Sequence, residues 1–111
     1  MDKIAQYRQY VQALLSQYAS QDSSDDQVEV QLILDPERDH YQWMNVGWQQ
    51  FNRIYRCILH IDIKDKKIWI QQNLTDQNPA EELIKMGVLR EDIVLGLQPP
   101  YKRPYTNYGV A

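Results

Sequence analysis

Two side chains near the middle of the chain have the types and the spacing for acid–base chemistry. His60 and Asp62 are two residues apart, so in a β-strand both project from the same face of a sheet. A histidine beside a carboxylate can transfer protons near neutral pH, but the same pair is common as a structural hydrogen bond. The sequence supplies no matching nucleophile, so we expect that the protein is not an enzyme.

The other candidates for chemistry are a single cysteine and a second histidine. Cys57 lies three residues before His60 and would project from the opposite face of a flat strand, where we expect core packing rather than an activated thiolate. One cysteine excludes a disulfide framework and a cysteine-based zinc site. His40 is expected to be a solvated turn residue at the start of a strand. The sequence therefore predicts no catalytic residue, no cofactor and no metal site.

Composition limits the partners and the compartment. The chain has 111 residues, with 15 acidic and 12 basic side chains and a net charge of −3. Binding to DNA phosphates needs a surplus of lysine and arginine, so we expect little or no DNA binding by the chain alone. No apolar stretch has the length of a membrane span, and the start, Met1–Gln6, lacks the apolar region of a signal peptide. These features predict a cytoplasmic protein without membrane association.

The N-terminal elements follow from hydrophobic periodicity. Apolar residues recur at spacings of three and four from Ile4 to Tyr18, which predicts a helix over residues 1–20. Asp2 is a suitable N-cap because its carboxylate can accept hydrogen bonds from the first free amides. The polar, acidic stretch at 21–27 has no period, so we expect a linker there.

From Val28 the hydrophobic period changes to two, which predicts a four-stranded antiparallel meander over residues 28–72. Asn78 is a suitable N-cap for a following helix, and short helices are expected over 78–97. A tail rich in tyrosine and proline follows at 98–111. The whole chain is thus predicted to be one α+β domain, with the N-terminal helix on one face of the sheet.

Alternation along the third predicted strand separates the two faces of the sheet. A two-residue turn at Asp65 and Lys66 would fix the register between the third and fourth strands. A register slipped by one residue would bury Arg56, His60 and Asp62 and expose isoleucines, so it is rejected. The residues expected in the core are Tyr55, Cys57, Leu59, Ile61, Ile63, Ile68 and Ile70.

The second face of the predicted sheet mixes aromatic, aliphatic and charged side chains. Apolar anchors edged by charges are typical of protein interfaces. The residues expected to form this interaction surface are Tyr41, Trp43, Arg56, Ile58, His60, Asp62 and Trp69. Alternatively, the tail with Tyr101, Tyr105 and Tyr108 covers this face within the same chain, and the first helix becomes the expected contact surface.

Several motifs resemble the XisI family, the fdxN element excision controlling factors. They are Tyr55-Arg56-Cys57, His60-Ile61-Asp62-Ile63, Lys67-Ile68-Trp69-Ile70-Gln71, Thr75-Asp76, and Asp92-Ile93-Val94-Leu95-Gly96-Leu97, and the resemblance covers essentially the whole chain. The family's usual Asp-x-Thr-Glu turn reads Asn73-Leu74-Thr75-Asp76 here. The resemblance implies an accessory protein rather than a recombinase.

The resemblance also implies partners. Family members act with a second small, nuclease-like protein, XisH, to permit programmed DNA excision by a separate site-specific recombinase. We therefore expect an XisH-type partner, with the recombinase as a second candidate. A homodimer is expected separately, because a self-complementary surface patch most simply gives a two-fold dimer. Three hypotheses stay open: a protein-binding regulatory module, an antitoxin-like inhibitor of a nuclease partner, and an enzyme that uses His60 and Asp62.

Overall fold

The structure is a computed structural model that describes residues 2–22 and 27–110. Helix α1, Lys3–Ser20, begins at Asp2, whose carboxylate accepts a hydrogen bond from the Ile4 amide at 3.1 Å. The predicted helix and its cap are thus confirmed, while the predicted linker at 21–27 falls mostly on residues 23–26, outside the described part. The buried stripe of α1 consists of Tyr7, Val11, Leu14, Leu15 and Tyr18.

A five-stranded sheet packs against α1. Its strands lie in the order in which they occur along the chain: β1 Val28–Asp35, β2 His40–Gln49, β3 Asn52–Lys64, β4 Lys67–Asn73 and β5 Ile93–Leu95. The first four strands form the predicted antiparallel meander, and β5 is parallel to β4. The predicted α+β architecture is confirmed with one additional strand, because three residues are too few for periodicity to identify β5.

Helix α2, Pro79–Met86, connects β4 to β5. Its N-cap is Asn78, whose side chain accepts a hydrogen bond from the Glu81 amide at 3.3 Å, and it ends at Gly87 with φ 126°. This positive φ favours glycine. Two short 3₁₀ helices follow, Arg90–Asp92 and Pro100–Tyr105. Among the described residues, no helix combines the length and the hydropathy needed to cross a membrane.

The predicted register between β3 and β4 is correct. Asp65 and Lys66 have φ values of 55° and 64°, as a two-residue type I′ turn requires. This turn places Ile63 opposite Ile68 and brings the buried faces of both strands together. The residues buried on the α1 face of this part of the sheet are Leu59, Ile61, Ile63, Ile68 and Ile70.

A β-bulge at Ile58 interrupts the alternation along β3. Cys57 lies opposite Met44 and Leu59 lies opposite Trp43, so β3 has one more residue than β2 at this point. Such an extra residue moves every side chain before it to the other face of the sheet. The predicted faces are therefore correct after Ile58 and inverted before it.

Because of this inversion, three residues before the bulge lie on the face opposite to the one predicted from the sequence. Tyr55 is 68% exposed, and Cys57 is half-buried on the face away from α1, so neither joins the core. Arg56 lies opposite Asn45, on the face that carries α1, and it is exposed there. The expectation that Arg56 shares a face with His60 is wrong for the same reason.

Tyr41 and Trp43 are also on the α1 face. Their register partners on β3 are Ile61 and Leu59, and residues opposite one another share a face. Tyr41 and Trp43 are 0% and 6% exposed, and Ile58 packs partly against the same core. The expectation that Tyr41, Trp43 and Ile58 lie beside His60 and Asp62 is therefore wrong.

Candidate functional site on the open sheet face

The face of β1–β3 that points away from α1 is called the open face here. Alternation and register place histidines and a carboxylate at one end, aromatic residues at the other end, and Met44 and Val46 between them. The side chains that form the open face are Glu29, Gln31, Ile33, Asp35, His40, Gln42, Met44, Val46, Trp48, Arg53, Tyr55, Cys57, His60 and Asp62. It therefore combines apolar and titratable groups on one surface.

His40, His60 and Asp62 converge at one end of the open face. The distance from His40 Nδ1 to Asp62 Oδ1 is 2.9 Å, and the distance from His60 Nε2 to the same oxygen is 2.8 Å. Gln71 donates a hydrogen bond from Nε2 to the second oxygen, Oδ2, at 3.2 Å. Both imidazoles and an amide thus surround a single carboxylate. We call His40, His60 and Asp62 the histidine cluster.

His40 is not the isolated solvated residue that the sequence predicted. Its side chain is 58% exposed, but β2 begins at His40 directly opposite Asp62 near the end of β3. His60 precedes Asp62 by two positions on β3 and so has the same orientation. Sequence reasoning found the pair His60 and Asp62 but missed His40, because that contact depends on the register of β2 against β3.

A second bulge, in β4, places Gln71 on Asp62. Ile70 lies opposite Ile61 and Gln72 lies opposite His60, so Gln71 is the extra residue of β4. Bulges often redirect a side chain beside a functional site. Here the bulged residue, Gln71, donates a hydrogen bond to Asp62 Oδ2, whereas both histidines contact Oδ1.

The titration of the candidate groups follows from their surroundings. Burial raises the pKa of the Asp62 carboxyl, but hydrogen bonds from His40 and His60, the charge of His60 and the Gln71 amide outweigh it, so the pKa lies below its usual range. Asp62 is therefore ionised at neutral pH. Burial raises the pKa of the Cys57 thiol, so Cys57 lacks the thiolate character of a nucleophile.

Exposed aromatic residues surround an arginine at the other end of the open face. The Arg53 guanidinium carbon lies 5.6 Å from the Trp48 ring centroid and 6.0 Å from that of Tyr55, within cation–π range. Phe51, in the turn between β2 and β3, is 96% exposed. We call Trp48, Phe51, Arg53 and Tyr55 the aromatic end. Regular alternation along β3 does not predict the aromatic end, because the bulge at Ile58 reverses the faces of this part of the strand.

Trp69 is on the same side of the sheet as Asp62 but is buried. It lies opposite Asp62 across β3 and β4, and the Arg103 guanidinium carbon of the tail lies 5.2 Å from its ring centroid. Tyr101 and Tyr105 are exposed, and Tyr108 packs partly on the core. Arg103 of the tail therefore contacts Trp69, whereas Tyr101 and Tyr105 are not buried against the sheet.

Comparisons with known proteins identify the family of the chain. The family model described as XisI protein matches residues 1–110. The chain is similar to the crystal structure of a XisI-like protein from Anabaena variabilis ATCC 29413, with 72% identity, a TM-score of 0.94, and coverage of 97% of this chain and 99% of that one.

A second crystal structure is a more distant match. It is that of the fdxN element excision controlling factor XisI from the same organism, with 34% identity, a TM-score of 0.88, and coverage of 99% and 100% of the two chains. No curated protein matches the chain. The match of the family model over nearly the whole length, supported by both structures, means that the chain belongs to the XisI family.

Proposed function

We propose that the chain is a non-catalytic accessory factor that controls the excision of a DNA element by binding another protein. The family assignment and the similarity to a protein named as the fdxN element excision controlling factor support this role. The proposed partner is an XisH-type protein, and the DNA is cut and rejoined by a separate site-specific recombinase. The observation that carries the proposal is the exposed aromatic end of the open face.

The aromatic end has the composition of a protein-binding hot spot. Tryptophan, tyrosine and arginine dominate such sites, and Trp48 and Tyr55 here lie on either side of Arg53. Single exposed apolar residues are ordinary on protein surfaces, but contiguous ones mark interaction sites. Met44 and Val46 extend the apolar surface from the aromatic end toward the histidine cluster.

The chemistry of the open face supports a binding role rather than catalysis. Asp62 is hydrogen-bonded to His40, His60 and Gln71. The Cys57 thiol is held protonated by burial. A general acid–base pair acts on a reacting group within hydrogen-bond reach. The hydrogen bonds of Asp62 instead go to His40, His60 and Gln71, which are side chains of the same chain. A structural network at an interface fits this arrangement.

The proposal is tested by co-purification of the chain with an XisH-type protein. Trp48→Ala and Tyr55→Ala remove exposed side chains, so both variants are expected to fold, and partner binding should fall by about 10-fold or more for each. Tyr105→Ala removes a tyrosine of the tail that is 87% exposed, against 68% for Tyr55, and is the control. Undiminished binding by the double variant Trp48→Ala, Tyr55→Ala would exclude the aromatic end as the contact surface.

Two further measurements separate the remaining hypotheses. Light scattering of the chain alone tests the proposed homodimer, and loss of the dimer in Trp48→Ala would assign the aromatic end to self-association. A nuclease assay of the partner, with and without the chain, distinguishes an accessory factor from an antitoxin-like inhibitor. The accessory role is expected to leave the partner's DNA cleavage unblocked, whereas an inhibitor would abolish it.

A further inference from the structure

We propose that the histidine cluster binds a divalent transition-metal ion of the zinc class. The ligand atoms are His40 Nδ1, His60 Nε2 and a carboxylate oxygen of Asp62, which all lie within 4.8 Å of one another. The sequence predicted no metal site because it did not bring His40 to Asp62. This inference does not rest on the proposed function and is tested separately from it.

The geometry needs small adjustments to hold an ion. Zinc bonds of about 2.0–2.2 Å in a tetrahedral arrangement place neighbouring ligand atoms about 3.3 Å apart. The distances from the two imidazole nitrogens to Asp62 Oδ1 are 2.9 and 2.8 Å, so each distance would have to lengthen by about half an ångström when an ion binds. The two imidazole nitrogens lie within 4.8 Å of each other and would be about 3.3 Å apart on an ion, and His40 can supply this movement because its side chain is largely exposed.

The donor set determines the class of metal. Two imidazole nitrogens and one carboxylate suit zinc, copper, nickel and iron, and the combination of two histidines with one carboxylate leaves further positions open on the ion. Calcium and magnesium prefer shells of oxygen atoms, so they are expected to bind weakly. The side chain of His40 is exposed to solvent, so water or a group from another molecule can reach the open positions.

Neighbouring amides orient the proposed ligands. Gln71 donates to Asp62 Oδ2 at 3.2 Å, which leaves Oδ1 directed at the imidazoles. The Gln42 amide lies 3.5 Å from His60 Nδ1, and turning that amide by 180° presents its oxygen to an Nδ1–H donor. Protonation at Nδ1 leaves the lone pair of Nε2 free for the metal. Partners of this kind commonly fix the tautomer of a ligating histidine.

The competing explanation is a hydrogen-bond network without a metal, in which both imidazoles donate N–H groups to one carboxylate oxygen. Each arrangement uses the same three side chains, but they differ in their response to added metal. Side chains that do not converge on an ion would bind zinc only weakly, as a single exposed imidazole or carboxylate does. If the three side chains form a metal site, zinc binding saturates at one ion per chain.

The test is a calorimetric titration of the tag-free full-length chain with ZnCl₂ at pH 7.5, repeated with CaCl₂. The chain contains two histidines, and both lie in the cluster, so any imidazole-dependent binding is assigned without ambiguity. We expect one zinc ion per chain and at least 100-fold weaker binding of calcium.

Variants separate the two explanations. His40→Gln and Asp62→Asn should abolish saturable zinc binding, while Gln71→Ala should weaken it by roughly 10–100-fold as an orienting residue. Cys57→Ser and the turn variant Asp65→Asn should bind zinc as the unmodified chain does. His40 is exposed, so His40→Gln is expected to retain the fold, which circular dichroism checks. Failure of the unmodified chain to bind zinc, or unchanged binding by a folded His40→Gln, would overturn the site.

Discussion

Tyr7 donates its hydroxyl hydrogen to a carboxylate oxygen of Asp92 at 2.6 Å, which joins helix α1 to the segment that leads into β5. The same hydroxyl accepts a hydrogen bond from the Leu89 amide at 3.4 Å, and Lys3 lies 3.0 Å from Asp92. Tyr7 and Asp92 are both buried, although 85 positions separate them. The contact therefore fixes the C-terminal third of the chain on the N-terminal helix.

The first prediction concerns this hydrogen bond. Tyr7→Phe keeps the aromatic ring but leaves a buried carboxylate oxygen of Asp92 without its hydroxyl donor, so the free energy of unfolding should fall by about 1–3 kcal/mol. Urea denaturation at pH 7 measures the loss. Tyr105→Phe, at an exposed position, should change the stability by less than about 0.5 kcal/mol. Equal effects of the two substitutions would contradict a structural role for the contact.

The second prediction follows from the titration of Tyr7. Burial and the hydrogen bond to Asp92 raise the pKa of Tyr7 to about 12, whereas a tyrosine in the unfolded chain titrates near 10. Between these values the unfolded chain loses the proton that the folded chain keeps, so stability is fully present below about pH 10 and decreases as the pH rises toward 12. Burial also raises the pKa of Tyr41, which adds to the loss.

Chemical denaturation at several pH values between 8 and 11.5 checks this dependence. The Tyr7→Phe variant should lose less stability over that range than the unmodified chain, because it lacks one of the groups with a raised pKa. An identical decline in both proteins would mean that Tyr7 does not contribute to it.

Local signals in the sequence were sufficient for the helices and for one turn. The carboxylate of Asp2 and the amide of Asn78 cap the helices at the predicted positions, because capping depends on neighbours within three residues. The turn at Asp65 and Lys66 fixed the register of β3 against β4 correctly. Each of these features is determined within a short segment of the chain.

The faces of the sheet before Ile58 were not predictable in the same way. Ile58 is an ordinary strand residue, without the glycine that often marks a bulge, so nothing in the sequence indicates the extra residue. The turn at Gln50 and Phe51 also lacks the residues that usually define a hairpin register. The aromatic end and the contact of His40 with Asp62 depend on both features, and the sequence analysis missed both of these sites.

The third prediction tests the bulge through two substitutions on β3. Ile61→Ala should lower the free energy of unfolding by about 2–5 kcal/mol, because Ile61 is completely buried and its truncation leaves a cavity. Cys57→Ala should cost less than about 1.5 kcal/mol, since Cys57 is half-buried on the open face. Urea denaturation compares the two variants. A cost above about 1.5 kcal/mol for Cys57→Ala would indicate the core position that alternation without a bulge requires.

The fourth prediction is that the chain alone binds duplex DNA weakly or not at all. It carries 15 acidic and 12 basic side chains, and several of the cations are engaged by aromatic rings: Arg53 with Trp48, and Lys64 and Arg103 with Trp69. Affinity for phosphates comes from the release of counterions by clustered cations. Fluorescence anisotropy with labelled duplex DNA at moderate salt measures the binding.

A charge variant makes this DNA-binding measurement decisive. Glu29→Lys combined with Glu37→Lys reverses two exposed charges and should bind DNA more tightly than the unmodified chain, with a steeper dependence on salt, because each added phosphate contact increases that slope. The variant thereby verifies that the assay detects electrostatic binding. Submicromolar binding of duplex DNA by the unmodified chain, weakening sharply as salt is added, would show that the chain contacts DNA directly. Its proposed dependence on a protein partner would then lose this support.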